Sequence, residues 1–320
     1  MPPLIAFAVL GVLLYPHAGE VWDSAKLVSL EAAAALVVLH LAALVLRAEA
    51  WGMCVSAAGA RVERPTLHST SAFRFLADTV VPTYVGAWVR VVLLRRLEGK
   101  KAPTVGQMIT ADGVILLVEA VITVGLLSLA VATTSVTWWQ AALFALAVAA
   151  VCLVCVMLRR RFRHRPFARA FDVLRGSGHR RGLLTLILAA VLLIQPVRFW
   201  LALDAVGLDP TAAEALAAFL LTSVFGVLPI GPGPSSIGAT TAVFGSAGLA
   251  EAGAAGLILA SAATAAAALY CLYGGPTLLR RSRASTATAA GTAAEPAAAE
   301  PSAAPPASRP APSTPSGTAR

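Results

Sequence analysis

Charge is what this sequence has least of. Charged side chains make up 13% of its 320 residues, about half the ~25% of an ordinary soluble domain. Apolar residues make up 58%, and the mean hydropathy is +0.78. That balance excludes a water-soluble globular domain. Cysteine is scarce too: Cys54, Cys152, Cys155 and Cys271. Cys152 and Cys155 fall within an apolar run, with no second pair and no nearby histidine, so neither a metal site nor a redox motif is expected. The histidines His17, His40, His68, His164 and His179 are scattered. A Walker A loop, a Gly-x-Ser-x-Gly elbow, a His-Glu-x-x-His pair and a dinucleotide fingerprint are all missing. The sequence therefore predicts no catalytic residues, no metal and no cofactor. The net charge of +9 sits in loops between apolar runs, where it reports topology rather than nucleic-acid binding.

What the chain does have is long apolar runs. They fall near 3–15, 27–46, 104–132, 138–158, 183–204, 212–228, 237–250 and 253–273. A spanning helix needs about 20 apolar residues, so the first and seventh runs are short. The predicted fold is all-α: a polytopic transmembrane helix bundle of about eight spans in two halves. The membrane domain covers 1–279, with a first half 1–158, a basic loop 159–181 and a second half 182–279. The Ala/Pro/Ser/Thr-rich segment 280–320 cannot bury enough apolar surface to fold and reads as a disordered tail. Arginine crowds the loop 159–181, which the positive-inside rule places in the cytoplasm. Counting spans from there puts both termini in the cytoplasm of a multi-pass cell-membrane protein.

Two Pro/Gly interruptions break this pattern, one in each half: Pro82-Thr-Tyr-Val-Gly86 and Pro229-Ile-Gly-Pro-Gly-Pro-Ser-Ser-Ile-Gly238. Broken backbone at membrane depth is tolerated only where protein or a water-filled cavity satisfies it, and paired breaks in matching positions point to a transport site. Segment 67–94 has basic residues on both flanks and reads as a cytoplasmic re-entrant hairpin with Pro82–Gly86 at its turn. Pro229–Gly238, including Pro232 and Gly233, reads either as a tight turn between spans or as a cradle for an anion at a helix start.

Charges inside the apolar runs are the other signal. Asp112 and Glu119 stand seven residues apart, on one helical face. Arg198, beside Gln195 and Pro196, is their candidate partner from the second half. Such a set is either a structural ion pair or a proton or headgroup contact. Arg74 and Asp78 form an i,i+4 pair worth only tenths of a kcal/mol where exposed. Arg90 has no acid among its sequence neighbours. It is either an interfacial arginine reaching to headgroups or a fork of donors for a phosphate.

The stretches Leu46-Arg-Ala-Glu-Ala-Trp51, Val81-Pro-Thr-Tyr-Val-Gly-Ala-Trp-Val-Arg90 and Leu93-Leu-Arg-Arg96 resemble the first-half signature of the lysylphosphatidylglycerol synthase transmembrane (flippase-like) family. Asp204-Ala-Val-Gly-Leu208 and Leu228-Pro-Ile-Gly-Pro-Gly-Pro-Ser-Ser-Ile-Gly238 resemble its second half, so the likeness runs over 27–275. It implies an all-helical membrane domain with re-entrant segments and, without the soluble aminoacyltransferase part, lipid translocation rather than synthesis. Its site residues would be Pro82, Gly86, Arg90, Pro229, Pro232, Gly233 and Gly238, joined by Asp112, Glu119 and Arg198 from the reading above. Thr83, Tyr84, Ala87, Leu116, Thr240 and Thr241 stand where the family carries other residues. The expected function is a flippase-like movement of a lipid or lipid-linked molecule between leaflets, with membrane lipids as partners. The alternative is a non-transporting scaffold or accessory subunit that engages a membrane enzyme. A small-molecule transporter is a third option.

Overall fold

The computed structural model describes residues 15–80, 84–133, 178–225, 232–244 and 248–293, with single positions between 145 and 160. Among the described residues the longer regular elements are α-helices and there is no strand. They are α1 (Ala18–Lys26), α2 (Leu30–Ala57), α3 (Arg64–Val80), α4 (Tyr84–Glu98), α5 (Val105–Thr133), α6 (Gly178–Ala205), α7 (Ala212–Phe225), α8 (Pro232–Phe244) and α9 (Leu249–Ala293). Four stretches are long and apolar enough to cross a membrane: Leu30–Ala57, Val105–Leu126, Gly178–Ala205 and Leu249–Arg280. Their outward faces are apolar as well as their buried ones, as Val38, Val121, Leu186, Leu193 and Leu272 show. A helix that is apolar all round, yet open on one side, is matched to lipid and not to water. The chain is an all-α, multi-pass membrane protein.

The described elements repeat. Helices α2 and α6 are each 28 residues long. Each is followed by a glycine in the left-handed region, Gly59 at φ +85° and Gly207 at φ +86°, where a side chain would be strained. Each then leads into a pair of shorter helices, α3/α4 or α7/α8, and then into another long helix, α5 or α9. Similar local chemistry starts two of these elements. Thr104 and Gln107 exchange bonds at the start of α5, and Thr211 and Glu214 do the same at α7. Both are reciprocal capping boxes.

The two short pairs are hairpins built around the predicted breaks. Helices α7 and α8 have 14 and 13 residues, or about 20 Å each at 1.5 Å per residue, too short for a ~30 Å hydrocarbon core. Over the described residues, the apolar runs 212–228 and 237–250 hold these two short helices, packed against each other. In the first half, Gly86 is the third residue of α4 and not part of the turn. Pro82 and Pro229 lie outside the described residues, as do most of the runs 3–15 and 138–158 and most of the loop 159–181.

Small residues bring these elements together, as expected where lipid supplies no hydrophobic drive between helices. On α9, a Cβ added at Gly256 would lie 2.7 Å from the Ile237 backbone in α8, and one at Gly274 would lie 2.8 Å from the Ser69 backbone in α3. Those two glycines are about 27 Å apart along the helix. The hairpins thus dock toward opposite ends of the apolar stretch Leu249–Arg280 of α9. Helix α2 shows the same division. Leu36 packs with Phe199, Ala218 and Ala254, while Trp51 and Val55 pack with Leu67 and Leu94. Inverted repeats with broken helices meeting inside the bundle have this arrangement.

The chain divides into two units, Met1–Ser282 and Arg283–Arg320. The second is described as far as Ala293 and is helical there, beyond the predicted boundary at 279/280. Alanine, the strongest helix former, dominates 284–293.

Candidate functional site

The first hairpin gathers a buried charged cluster. Gly86 lets its arms approach: an added Cβ would fall 2.6 Å from the Arg74 carbonyl oxygen and would overlap the Asp78 carboxylate. One turn further along α4, Arg90 is only 2% exposed. Its guanidinium lies 4.2 Å from the centre of the Trp51 ring and 6.0 Å from that of Phe75. Desolvated cation–π contacts of this kind are worth about 2 kcal/mol. One Arg90 terminal nitrogen donates to Ser71 Oγ at 3.1 Å. The other is 3.9 Å from Asp112 Oδ1. Arg74 donates to the same Asp112 oxygen at 2.7 Å, and its Nε is 3.5 Å from Asp78 Oδ2.

This corrects two expectations. Arg90 does not snorkel, because it is enclosed by two aromatic rings, and an acid distant in sequence faces it. Arg74 and Asp78 are not an isolated exposed pair, because Asp112 from α5 completes a four-charge set. The set is neutral overall, but its hydrogen bonding is incomplete. Arg90 Nε and Nη1, Arg74 Nε and Asp78 Oδ1 are buried without a hydrogen-bond partner. Three donors against one acceptor leave room for an oxygen-rich guest, and orphaned buried donors call for one.

A second cluster lies deeper along α2. Arg47 pairs with Glu119 at 2.5 Å. Arg47 was expected in a loop after a span ending at 46, but α2 continues to Ala57 and sets it, half-exposed, against α5. Glu119 Oε1 has no partner. Arg198, 4% exposed, donates to Gln195 at 2.7 Å one turn back on its own helix, and its Nε is unpartnered. The expected pairing of Arg198 with Asp112 or Glu119 does not form, since those acids are taken by Arg74 and Arg47. His40 lies within electrostatic reach of both Arg198 and Arg47, and its Nδ1 is also buried without a partner.

The two clusters share one helix face. His40, Leu44, Arg47 and Trp51 follow the i, i+4, i+7, i+11 spacing that aligns side chains along a helix. His40 and Trp51 are thus ~16 Å apart along α2, about half the hydrocarbon core. The result is a polar ladder that descends from Arg90 through Arg47–Glu119 to His40 and Arg198, with rungs from both halves of the chain.

The second hairpin contributes less. Ser236 Oγ donates to the Gly256 carbonyl at 3.2 Å, and Thr240 Oγ1 donates to the Ala252 carbonyl at 2.8 Å. These bonds fasten α8 to α9. Gly238 stands half-buried within α8, and Pro232 and Gly233 stand in its first turn. The described residues hold no group of His, Cys, Asp and Glu suited to a metal.

Comparison with known proteins decides the family. The model of the lysylphosphatidylglycerol synthase TM region matches residues 4–279. The chain belongs to this family. No curated protein and no solved structure matches it. Family membership agrees with the multi-pass helical body, whereas the partners of Arg90, Glu119 and Arg198 emerge only from the packing.

Proposed function

We propose that this family member carries the polar headgroup of a lipid between leaflets while the acyl chains stay in the bilayer. The observation that supports this most is the ladder. Ionisable groups at membrane depth are expensive and normally mark a substrate or ion path. Here they are aligned over ~16 Å and retain unpartnered donors at Arg90 and Arg198. An arginine fork suits a phosphodiester, and the name of the family makes phosphatidylglycerol and its aminoacylated form the first lipids to try. Asp112 and Glu119 would release their arginines to an incoming phosphate or meet a cationic headgroup. Hairpins docked toward opposite ends of the apolar stretch Leu249–Arg280 support alternate opening toward either leaflet.

The accessory-subunit reading has one observation in its favour. Both acids already hold an arginine, as purely structural pairs would. Native mass spectrometry with lipid analysis of the gently extracted protein separates the two. One enriched phospholipid class, lost in Arg90→Gln, supports translocation. Bulk lipid together with a stoichiometric protein partner overturns it.

A further inference from the structure

We infer that Glu49, His68 and Tyr270 form a proton-binding latch between the first hairpin and helix α9. Three elements supply it. His68 on α3 sits with Nε2 3.1 Å from Glu49 Oε1 on α2 and Nδ1 2.5 Å from the Tyr270 hydroxyl on α9. The close approach of Gly274 to Ser69, one residue from His68 and one turn from Tyr270, holds the two rings at 6.0 Å, edge to face.

The partners fit both charge states. Neutral His68 donates from Nε2 to the Glu49 carboxylate and accepts the Tyr270 O–H at Nδ1. Protonated His68 keeps the first bond and donates from Nδ1 to the tyrosine oxygen, whose hydrogen rotates away. A hydroxyl both donates and accepts, so a proton binds here without moving the backbone. The site is open at its Glu49 end and closed at its Tyr270 end. Glu49 is 29% exposed and Arg64, 3.4 Å from it, is 79% exposed, while Tyr270 is 2% exposed. The other charged or titratable groups facing the site are Arg90 and, on α9, Cys271 and Tyr273, all within electrostatic reach of Tyr270. Phe75 stacks on Tyr270 at 6.4 Å and also lies under Arg90. A proton on His68 therefore adds positive charge beside the upper rung of the ladder. The latch stands on its own geometry, and only its use to drive headgroup movement rests on the translocation reading.

The test is nitrogen NMR of histidine-labelled full-length protein in lipid nanodiscs, titrated between about pH 5 and 8, where histidine is the natural switch. The signal missing from His68→Gln identifies His68. The expected result is a reversible charge change at that signal, displaced to lower pH in Glu49→Gln, because a neighbouring anion favours the charged form. In Tyr270→Phe the Nδ1 shift should change. A His68 that holds one charge state throughout, or whose titration is the same in all three folded proteins, overturns the latch. Should His68→Gln fail to fold, substituting the other four histidines in turn assigns His68 by elimination, and the wild-type titration then decides the first point. None of these readouts requires lipid movement, so failure of the latch and failure of the translocation reading are separable.

Discussion

Gly86→Ala probes the joint on which the upper site is built. The added methyl carbon would lie 2.6 Å from the Arg74 carbonyl oxygen, where an ordinary contact begins at 3.4 Å. The difference, 3.4 − 2.6 = 0.8 Å, must come from separating the arms, because the obstacle is backbone. The Asp78 carboxylate can rotate aside, but the carbonyl cannot. Overpacking of this kind costs about 1–3 kcal/mol, while alanine gains ~1 kcal/mol over glycine in a helix. Because rigid backbone puts the cost near its upper end, the net loss should be ~1–2 kcal/mol. Gly113→Ala is the control. Nothing lies within 4 Å of its added Cβ, so it should be neutral or stabilising by ~0.4–1 kcal/mol. Thermal or SDS-induced unfolding in micelles reads both. Equal stability of the two variants would refute the close approach of α3 and α4. The same shift carries Arg90, one turn further along α4, off the Trp51 ring, so any lipid retained by the wild type should be depleted in Gly86→Ala.

Other predictions follow from the ladder. Asp112→Asn leaves Arg74 and Arg90 with Asp78 as their one remaining acid in the four-charge set. Breaking a buried pair costs ~3–5 kcal/mol, and the partial exposure of Asp112 lowers the expectation to ~2–3 kcal/mol, measurable by unfolding and partly restored by adding Arg74→Gln. Arg198→Met should do the opposite to stability. Replacing an unneutralised buried charge by an apolar side chain should leave stability unchanged or raise it by up to ~4 kcal/mol, while lipid retention or movement falls. A less stable Arg198→Met would mean that Arg198 has an anion partner. Trp51→Leu removes the ring from Arg90 and opens a cavity at a buried position, and should cost ~2–4 kcal/mol, against little change for Trp22→Leu at an exposed position. Cysteines introduced singly near Gly59 and Gly207 should label from opposite sides of the membrane, and labelling from one side would contradict the inverted arrangement.

The sequence made some of this legible and hid the rest for physical reasons. Apolar run length marked α2, α5, α6 and α9, because a bilayer imposes a length on every crossing. Clusters of proline and glycine marked both hairpins, because together they disfavour a continuous helix, whereas the single prolines Pro196 and Pro276 stand inside α6 and α9. The ends of elements were harder. Helix α2 runs past 46 because Arg47 and Glu49, which read as the start of a loop, find Glu119 and His68 on neighbouring helices. Partnerships were hardest. Arg74 meets Asp112 across 38 residues and Arg47 meets Glu119 across 72, and spacing along one helix carries no information about which acid a neighbouring helix presents. His68 was invisible for the same reason, since its partners lie 19 and 202 residues away. One signal was present and unread. The positions 40, 44, 47 and 51 follow a helical face, and only the extension of α2 reveals it.

The most direct measurement of the central claim is transbilayer movement in proteoliposomes. Acyl-labelled fluorescent phosphatidylglycerol, with and without a lysyl headgroup, is reduced by dithionite from the outside, and the protected fraction is followed over time. The account predicts that wild-type protein makes the inner-leaflet pool of at least one of these lipids accessible. It also predicts that Arg90→Gln and Arg198→Met abolish the movement while remaining folded. Movement unchanged in both variants, or none above protein-free vesicles for either lipid with the folded wild-type protein, would contradict the account.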